Sequence, residues 1–245
     1  MEVKVGTCGY AYMDPGEFLG EGWRNRYRST LQAYAALFPV CELNSTFYRT
    51  PRVSTVVRWR VEVDEVNKGF EFTVKASQQI THKIRFSKGS VSVFNQMREV
   101  CEKLNAGILL FQTPSSFKAV EENVARMMDF FECVDRGNLT FVWEMRGDWH
   151  QSPTLIEKVC RRLKLIPCVD PFRNEPLNFG EETAYFRLHG LGSGSMYNYN
   201  FSTEELEWLK GKVRGLSDKV NKVYLMFNNS ECYSNALQYM RISQR

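Results

Sequence analysis

Apolar positions in this chain follow two alternating rhythms. Short apolar runs take turns with longer stretches in which apolar residues recur every three or four positions. The runs at 3–7, 40–43, 69–75, 107–111, 139–143, 165–169, 184–188 and 223–227 predict eight strands. Residues 69–75 alternate strictly, with Phe70, Phe72 and Val74 on one face and Glu71, Thr73 and Lys75 on the other. Residues 107–111 are apolar throughout apart from a leading glycine, as in a strand covered on both faces of a parallel sheet.

The slower rhythm predicts the helices. Tyr27, Leu31, Tyr34 and Phe38 share a helical face that Pro39 terminates, and Val53, Val56, Val57 and Arg60 follow Pro51 on neighbouring turns. Phe94, Met97, Cys101 and Leu104 form the next stripe, then Val120, Val124, Met127 and Phe131. Ser152 as N-cap with Pro153 in the first turn opens a helix that points Leu155, Val159 and Leu163 inward. A capping box of Ser202 and Glu205 starts one with Leu206, Leu209 and Val213, and Tyr233, Leu237 and Met240 make the last. Three segments break the pattern. Residues 10–22, rich in Gly, Pro, Asp and aromatics, predict a long irregular loop over a site, and the Thr81-His82 region a second loop. Residues 171–183 hold two prolines and a glycine without helical period, so the helix after the sixth strand is expected to be reduced or missing.

Strand-helix alternation over this length predicts an irregular (β/α)₈ TIM barrel of the α/β class, a single domain over 1–245, since such barrels take about 250 residues. A doubly wound open sheet is the competitor, but no GxGxxG follows the first strand and no phosphate-binding P-loop occurs. Composition agrees with a globular chain, at 43% hydrophobic and 24% charged residues. No eighteen-residue apolar stretch and no signal-peptide pattern occur, which predicts a cytoplasmic protein without membrane contact. Seven cysteines without a CxxC pair read as core thiols, with Cys8 assigned to a backbone turn. A net charge of +4 suits an anionic partner yet falls short of a dedicated nucleic-acid binder.

In a barrel of this kind the chemistry lies at the strand C-termini. Those ends supply Thr7 and Tyr10, Glu42 and Asn44, Lys75, Gln112, Glu144 and Arg146, Asp170, Arg187 and His189, and Asn228, with His82 reaching in from its loop. Acids, bases and amides converging on one rim exceed what folding alone needs, although any single member also reads as a structural ion pair.

Gly-Thr-Cys-Gly-Tyr at 6–10, Glu-Leu-Asn-Ser-Thr-Phe-Tyr at 42–48 and Phe72-Thr-Val-Lys75 with Thr81-His82 resemble the YecE-like proteins, domain-of-unknown-function family 72. So do Leu110 to Phe117, Glu144-Met-Arg146 with Trp149, Arg187-Leu-His-Gly190 and Phe227-Asn-Asn229, so the resemblance spans nearly the whole chain. It implies an irregular TIM barrel, similar in shape to xylose-isomerase and endonuclease-IV-like barrels, with a polar pocket at the strand C-termini; it implies no reaction. The chain departs from that pattern at Cys8, where serine is common, and at Gly147-Asp148, where a His-Pro pair often follows the arginine.

The combined expectation is an enzyme of hydrolase, lyase or isomerase type acting on a polar, anionic substrate containing phosphate, sugar or nucleotide. Arg146, Arg187 and Lys75 are the anion-holding candidates. Glu42, Glu144 and Asp170 are the general acid/base candidates, with His82 or His189 as proton carriers, and Lys75 joins the catalytic set. Thr7, Tyr10, Asn44, Thr46, Tyr48, Gln112, Trp149, Tyr197 and Asn228 would line the pocket, with Phe47 among its aromatic walls. The alternative is a non-catalytic nucleic-acid or nucleotide binder using Arg24, Arg26, Arg28, Arg58 and Arg60. Three histidines without an HxH or HExxH pair predict no multinuclear zinc cluster, while a single Mg²⁺ or Mn²⁺ on Glu42, Glu144 or Asp170 stays open.

Overall fold

The structure is a computed structural model describing residues 1–192 and 195–244. Its strands are β1 (Glu2–Thr7), β2 (Val40–Leu43), β3 (Glu71–Lys75), β4 (Ile108–Gln112), β5 (Thr140–Glu144), β6 (Leu165–Val169), β7 (Thr183–Leu188) and β8 (Lys222–Phe227). All eight pair in parallel, each with its sequence neighbour, and β8 returns to β1 with Glu2 opposite Lys222 and Thr7 opposite Phe227. The sheet is therefore a closed α/β barrel without an open edge.

The helices are α1 (Pro15–Leu19), α2 (Thr30–Leu37), α3 (Ser45–Tyr48), α4 (Val53–Asp64), α5 (Ser90–Leu104), α6 (Glu121–Cys133), α7 (Pro153–Leu163), α8 (Thr203–Arg214) and α9 (Cys232–Ser243). The Ser202/Glu205 capping box forms with both reciprocal hydrogen bonds. Residues 171–182 hold turns and no helix, as the prolines require. Phe172 instead packs on Phe201 and Trp208, at ring distances of 4.9 and 4.8 Å. Ser193 and Gly194, between β7 and α8, lie outside the described residues.

Four local expectations need correction. The 10–22 loop contains α1 and a 3₁₀ turn, because Asp14 caps the backbone N–H of Gly16 at 2.9 Å and Pro15 presets the first helical residue. Tyr27 lies before α2, which begins only after Ser29 accepts a hydrogen bond from the N–H of Gln32. Ser152 precedes α7 without making a side-chain cap. Thr81 and His82 sit on a π-helical turn, Gln79–Lys83, and not in a plain loop.

The strand alternation separates two apolar layers. Phe72 and Val74 pack with the helices, while Val40, Leu110, Val142, Cys168, Tyr185 and Met226 fill the barrel interior. The alternate face of β3, Glu71, Thr73 and Lys75, points inward with them, since Glu71 and Thr73 bond to the interior tyrosines Tyr224 and Tyr185. Interior polar residues at the C-terminal end of the barrel must then pair with one another, and the site grows from that requirement.

Candidate functional site

Arg187, at the end of β7, is 1% exposed and organises the upper interior. Its Nε and Nη2 donate to the two carboxylate oxygens of Glu42 at 3.1 and 2.9 Å, and its Nη1 donates to Glu144 Oε2 at 2.5 Å. Tyr185 Oη donates to Glu42 at 2.9 Å and lies 2.8 Å from the Thr73 hydroxyl. Glu42 is therefore sealed, at 0% exposure, with both oxygens bonded. It holds Arg187 and does not face substrate space, contrary to its expected acid/base role. Burial alone would raise the Glu144 carboxyl, but Arg187 and Arg146 outweigh it and hold that group well below the usual carboxylate range. That favours the carboxylate form of Glu144 near neutrality and disfavours the acid half of its expected acid/base role.

A cavity of about 410 Å³ opens above this cluster over the ends of β5, β6 and β7. Glu144, Arg146, Asp170 and His189 line it, and so do Arg173, Asn174, Ser115 and His150. Arg146 Nη2 donates to Glu144 Oε1 at 2.9 Å and to His189 Nε2 at 3.2 Å. On its other side His189 presents Nδ1 to Asp170 Oδ2 at 3.3 Å, and its backbone N–H donates to the same oxygen at 2.9 Å. Both contacts are satisfied when Nδ1 carries the proton and Nε2 keeps its lone pair toward the cavity. Arg173 donates to Gly190 O and lies 3.9 Å from Asp170.

The second half of the rim is built from the 42–48 stretch. Asn44 accepts from Arg187 at 3.4 Å and donates to Cys8 O at 3.3 Å. The Thr46 hydroxyl lies 2.6 Å from Leu43 O and 2.7 Å from Lys75 O, which ties α3 to the end of β3. Phe47 carries the Lys75 Nζ 4.3 Å over its ring and meets the His82 ring edge-on at 4.9 Å. Burial, then the charges of Lys75 and Arg146, push His82 down to about 4. His82 accordingly favours its neutral form near pH 7, which counts against its expected role as proton carrier. Gln112, opposite Glu144 in the register, is nearly buried.

Several expected pocket residues lie elsewhere. Thr7 bonds with the buried Tyr34 hydroxyl, and Tyr10 packs edge-on against Trp59. Tyr48 is 74% exposed on the outside. Trp149 is fully buried, donating to Phe117 O beneath the rim. Asn228 lines a separate cavity with Cys8 over β1 and β8, where burial pushes the Cys8 thiol well above its ordinary range. Tyr197 alone of the outlying aromatics meets the site, 5.5 Å from the His189 ring and with its hydroxyl 3.4 Å from Arg146.

Arg173, Asn174, Ser115, His150 and Tyr185 escaped the sequence reading. Tyr185 was accessible through alternation, being two residues before Arg187; Arg173 had no signal beyond following Asp170 in a segment without helical period. The basic residues of the alternative reading are engaged locally: Arg28 pairs with Glu65, Arg58 with Glu62 and Arg60 with Asp64. Of the carboxylates proposed as metal ligands, Glu42 and Glu144 are held by guanidiniums and Asp170 by His189 and the Phe172 N–H, and among the described residues no three His, Cys, Asp or Glu side chains converge as a metal site. Among the described residues no helix is long and apolar enough to cross a membrane.

A closed eight-stranded parallel barrel with a charged cavity over its strand C-termini defines a TIM-barrel protein. The chain belongs to the family described as Protein of unknown function DUF72, whose profile matches residues 4–245. It is 26% identical over 236 residues to the UPF0759 protein YunF of Bacillus subtilis (strain 168), covering 82% of this chain and 80% of that protein. The crystal structure of a DUF72 family protein from Thermotoga maritima MSB8 superposes with a TM-score of 0.80 at 26% identity over 100% of both chains. D-psicose 3-epimerase from Clostridium cellulolyticum H10, solved with D-tagatose, superposes at 0.61 with 10% identity, covering 100% of this chain and 98% of that one, a likeness of fold.

Proposed function

We propose that the β5–β7 cavity binds a small polar anion, a phosphorylated or carboxylated sugar-like molecule, and that the protein is an enzyme using His189 as its proton carrier. The observation that carries this reading is the disposition of His189, whose Nδ1 is engaged by Asp170 while Nε2 faces the cavity beside Arg146. Such an arrangement orients an imidazole to take a proton at Nε2 and leaves Asp170 to stabilise the imidazolium. Arg146 and Arg173 supply forked donors in the same cavity, suited to phosphate or carboxylate oxygens. Substrate binding would compete for the Arg146 contact and free the Nε2 lone pair.

Thermal-shift titration with inorganic phosphate, sugar phosphates, nucleotides and single-stranded oligonucleotides tests the reading. Phosphate esters should raise the melting temperature, and Arg173→Met should remove that gain. His189→Gln should preserve it while abolishing turnover of any ester found to react. A gain that grew with oligonucleotide length and survived Arg173→Met would favour the nucleic-acid binder instead.

A further inference from the structure

Lys75 ends β3 at 8% exposure, and its side-chain amine makes no hydrogen bond or ion pair with the described residues. Its charge acts on Glu144, which lines the cavity, and on His82 behind Phe47, so the amine belongs to the same cluster at the barrel mouth. The surrounding charges are already balanced. Three carboxylates, Glu42, Glu144 and Asp170, are matched by three guanidiniums, Arg187, Arg146 and Arg173. Guanidiniums remain charged, so an ammonium here would be a surplus cation in a poorly hydrated place. The Phe47 face favours the ammonium, but a phenyl ring is a weak partner. Thr46, bonded to Lys75 O, fixes the backbone from which the amine projects.

We propose that Lys75 is a nucleophilic amine that adds to the carbonyl carbon of an aldehyde- or ketone-bearing anionic substrate and forms an imine. The amine nitrogen forms the new bond to carbon, the carbonyl oxygen leaves as water, and the two protons lost by the amine depart with it. The proposal rests on the anion-cavity reading for the charge of the substrate. Burial first, then the Arg187 charge, push the Lys75 amine down to about 8, so a reactive neutral fraction exists under ordinary conditions.

The test treats the full chain with glycolaldehyde phosphate or with glycolaldehyde, reduces with borohydride, and maps modified lysines by peptide mass spectrometry. Near pH 7 Lys75 should carry on the order of a hundredfold more neutral amine than an ordinary lysine, and should be labelled first. Its labelling should level off above a midpoint of about 8, where other lysines keep rising. Labelling no faster than that of the exposed lysines, or an ordinary pH profile, overturns the proposal. If glycolaldehyde labels Lys75 but a phosphate group confers no advantage, the amine stands and the anion-cavity reading falls. If phosphate binds and Lys75 stays unlabelled, the reverse holds.

Discussion

Arg187 donates to both Glu42 and Glu144 from a position closed to solvent, so its removal would strand two buried carboxylates at once. Arg146 is partly exposed and, of these two carboxylates, pairs with Glu144. Arg187→Met should therefore lose about 3–5 kcal/mol of stability, the usual cost of breaking a buried pair by removing one partner. Glu144→Gln keeps an oxygen for one of Arg187 and Arg146, turns its amide nitrogen toward the other, and leaves Glu42 paired with Arg187, so it should lose less. Urea denaturation of the two variants decides the matter. Equal losses would mean that the Glu144 charge, and not the guanidinium, holds the cluster together.

Among the elements, the turn after β5 has the tightest requirement. Gly147 has φ +77°, and a Cβ there would lie 2.8 Å from Ser115 O in the loop after β4. That approach sets the position of Arg146, the residue before it, and Asp148 reinforces it by accepting from the Ala119 N–H at 3.1 Å. Gly147→Ala should cost about 1–3 kcal/mol in strain plus the clash, and should weaken phosphate binding by moving Arg146. Gly137→Ala is the control, since its φ of +55° carries a similar backbone penalty with open space around it. Matching melting temperatures for the two variants would show that the Ser115 contact yields freely.

For the whole molecule, the rim charges set the response to pH. Burial and the Lys75 charge lower His82 from 6.5 to about 4, so between those values the unfolded chain binds a proton that the folded chain refuses. Stability should fall as pH drops through that window, and His82→Gln should flatten the slope. Glu144, whose carboxyl is depressed in the folded state, contributes stability that is present above about 4.3, the unfolded carboxylate value, and is lost as pH falls further. Melting temperatures recorded across the acid range should therefore show two regions, the lower one surviving His82→Gln. An unchanged slope in that variant would remove His82 from the account.

Eight strands, their order and the barrel follow from local pattern, because the period of an apolar run and the residues that end it are properties of a few consecutive positions. The inward set Glu42, Lys75, Glu144 and Arg187 was legible for the same reason: strand alternation and strand ends place such residues on the rim. What each does there was not legible. Glu42 became a sealed partner of Arg187, Trp149 became core, and Arg173 entered the cavity from a segment without periodicity. Those roles depend on which side chain from a distant strand reaches which oxygen, and on how much water the packing leaves. Hydrogen bonds such as that from Arg187 to Glu42, 145 residues away along the chain, exist only once the barrel has closed, so tertiary structure alone decided them.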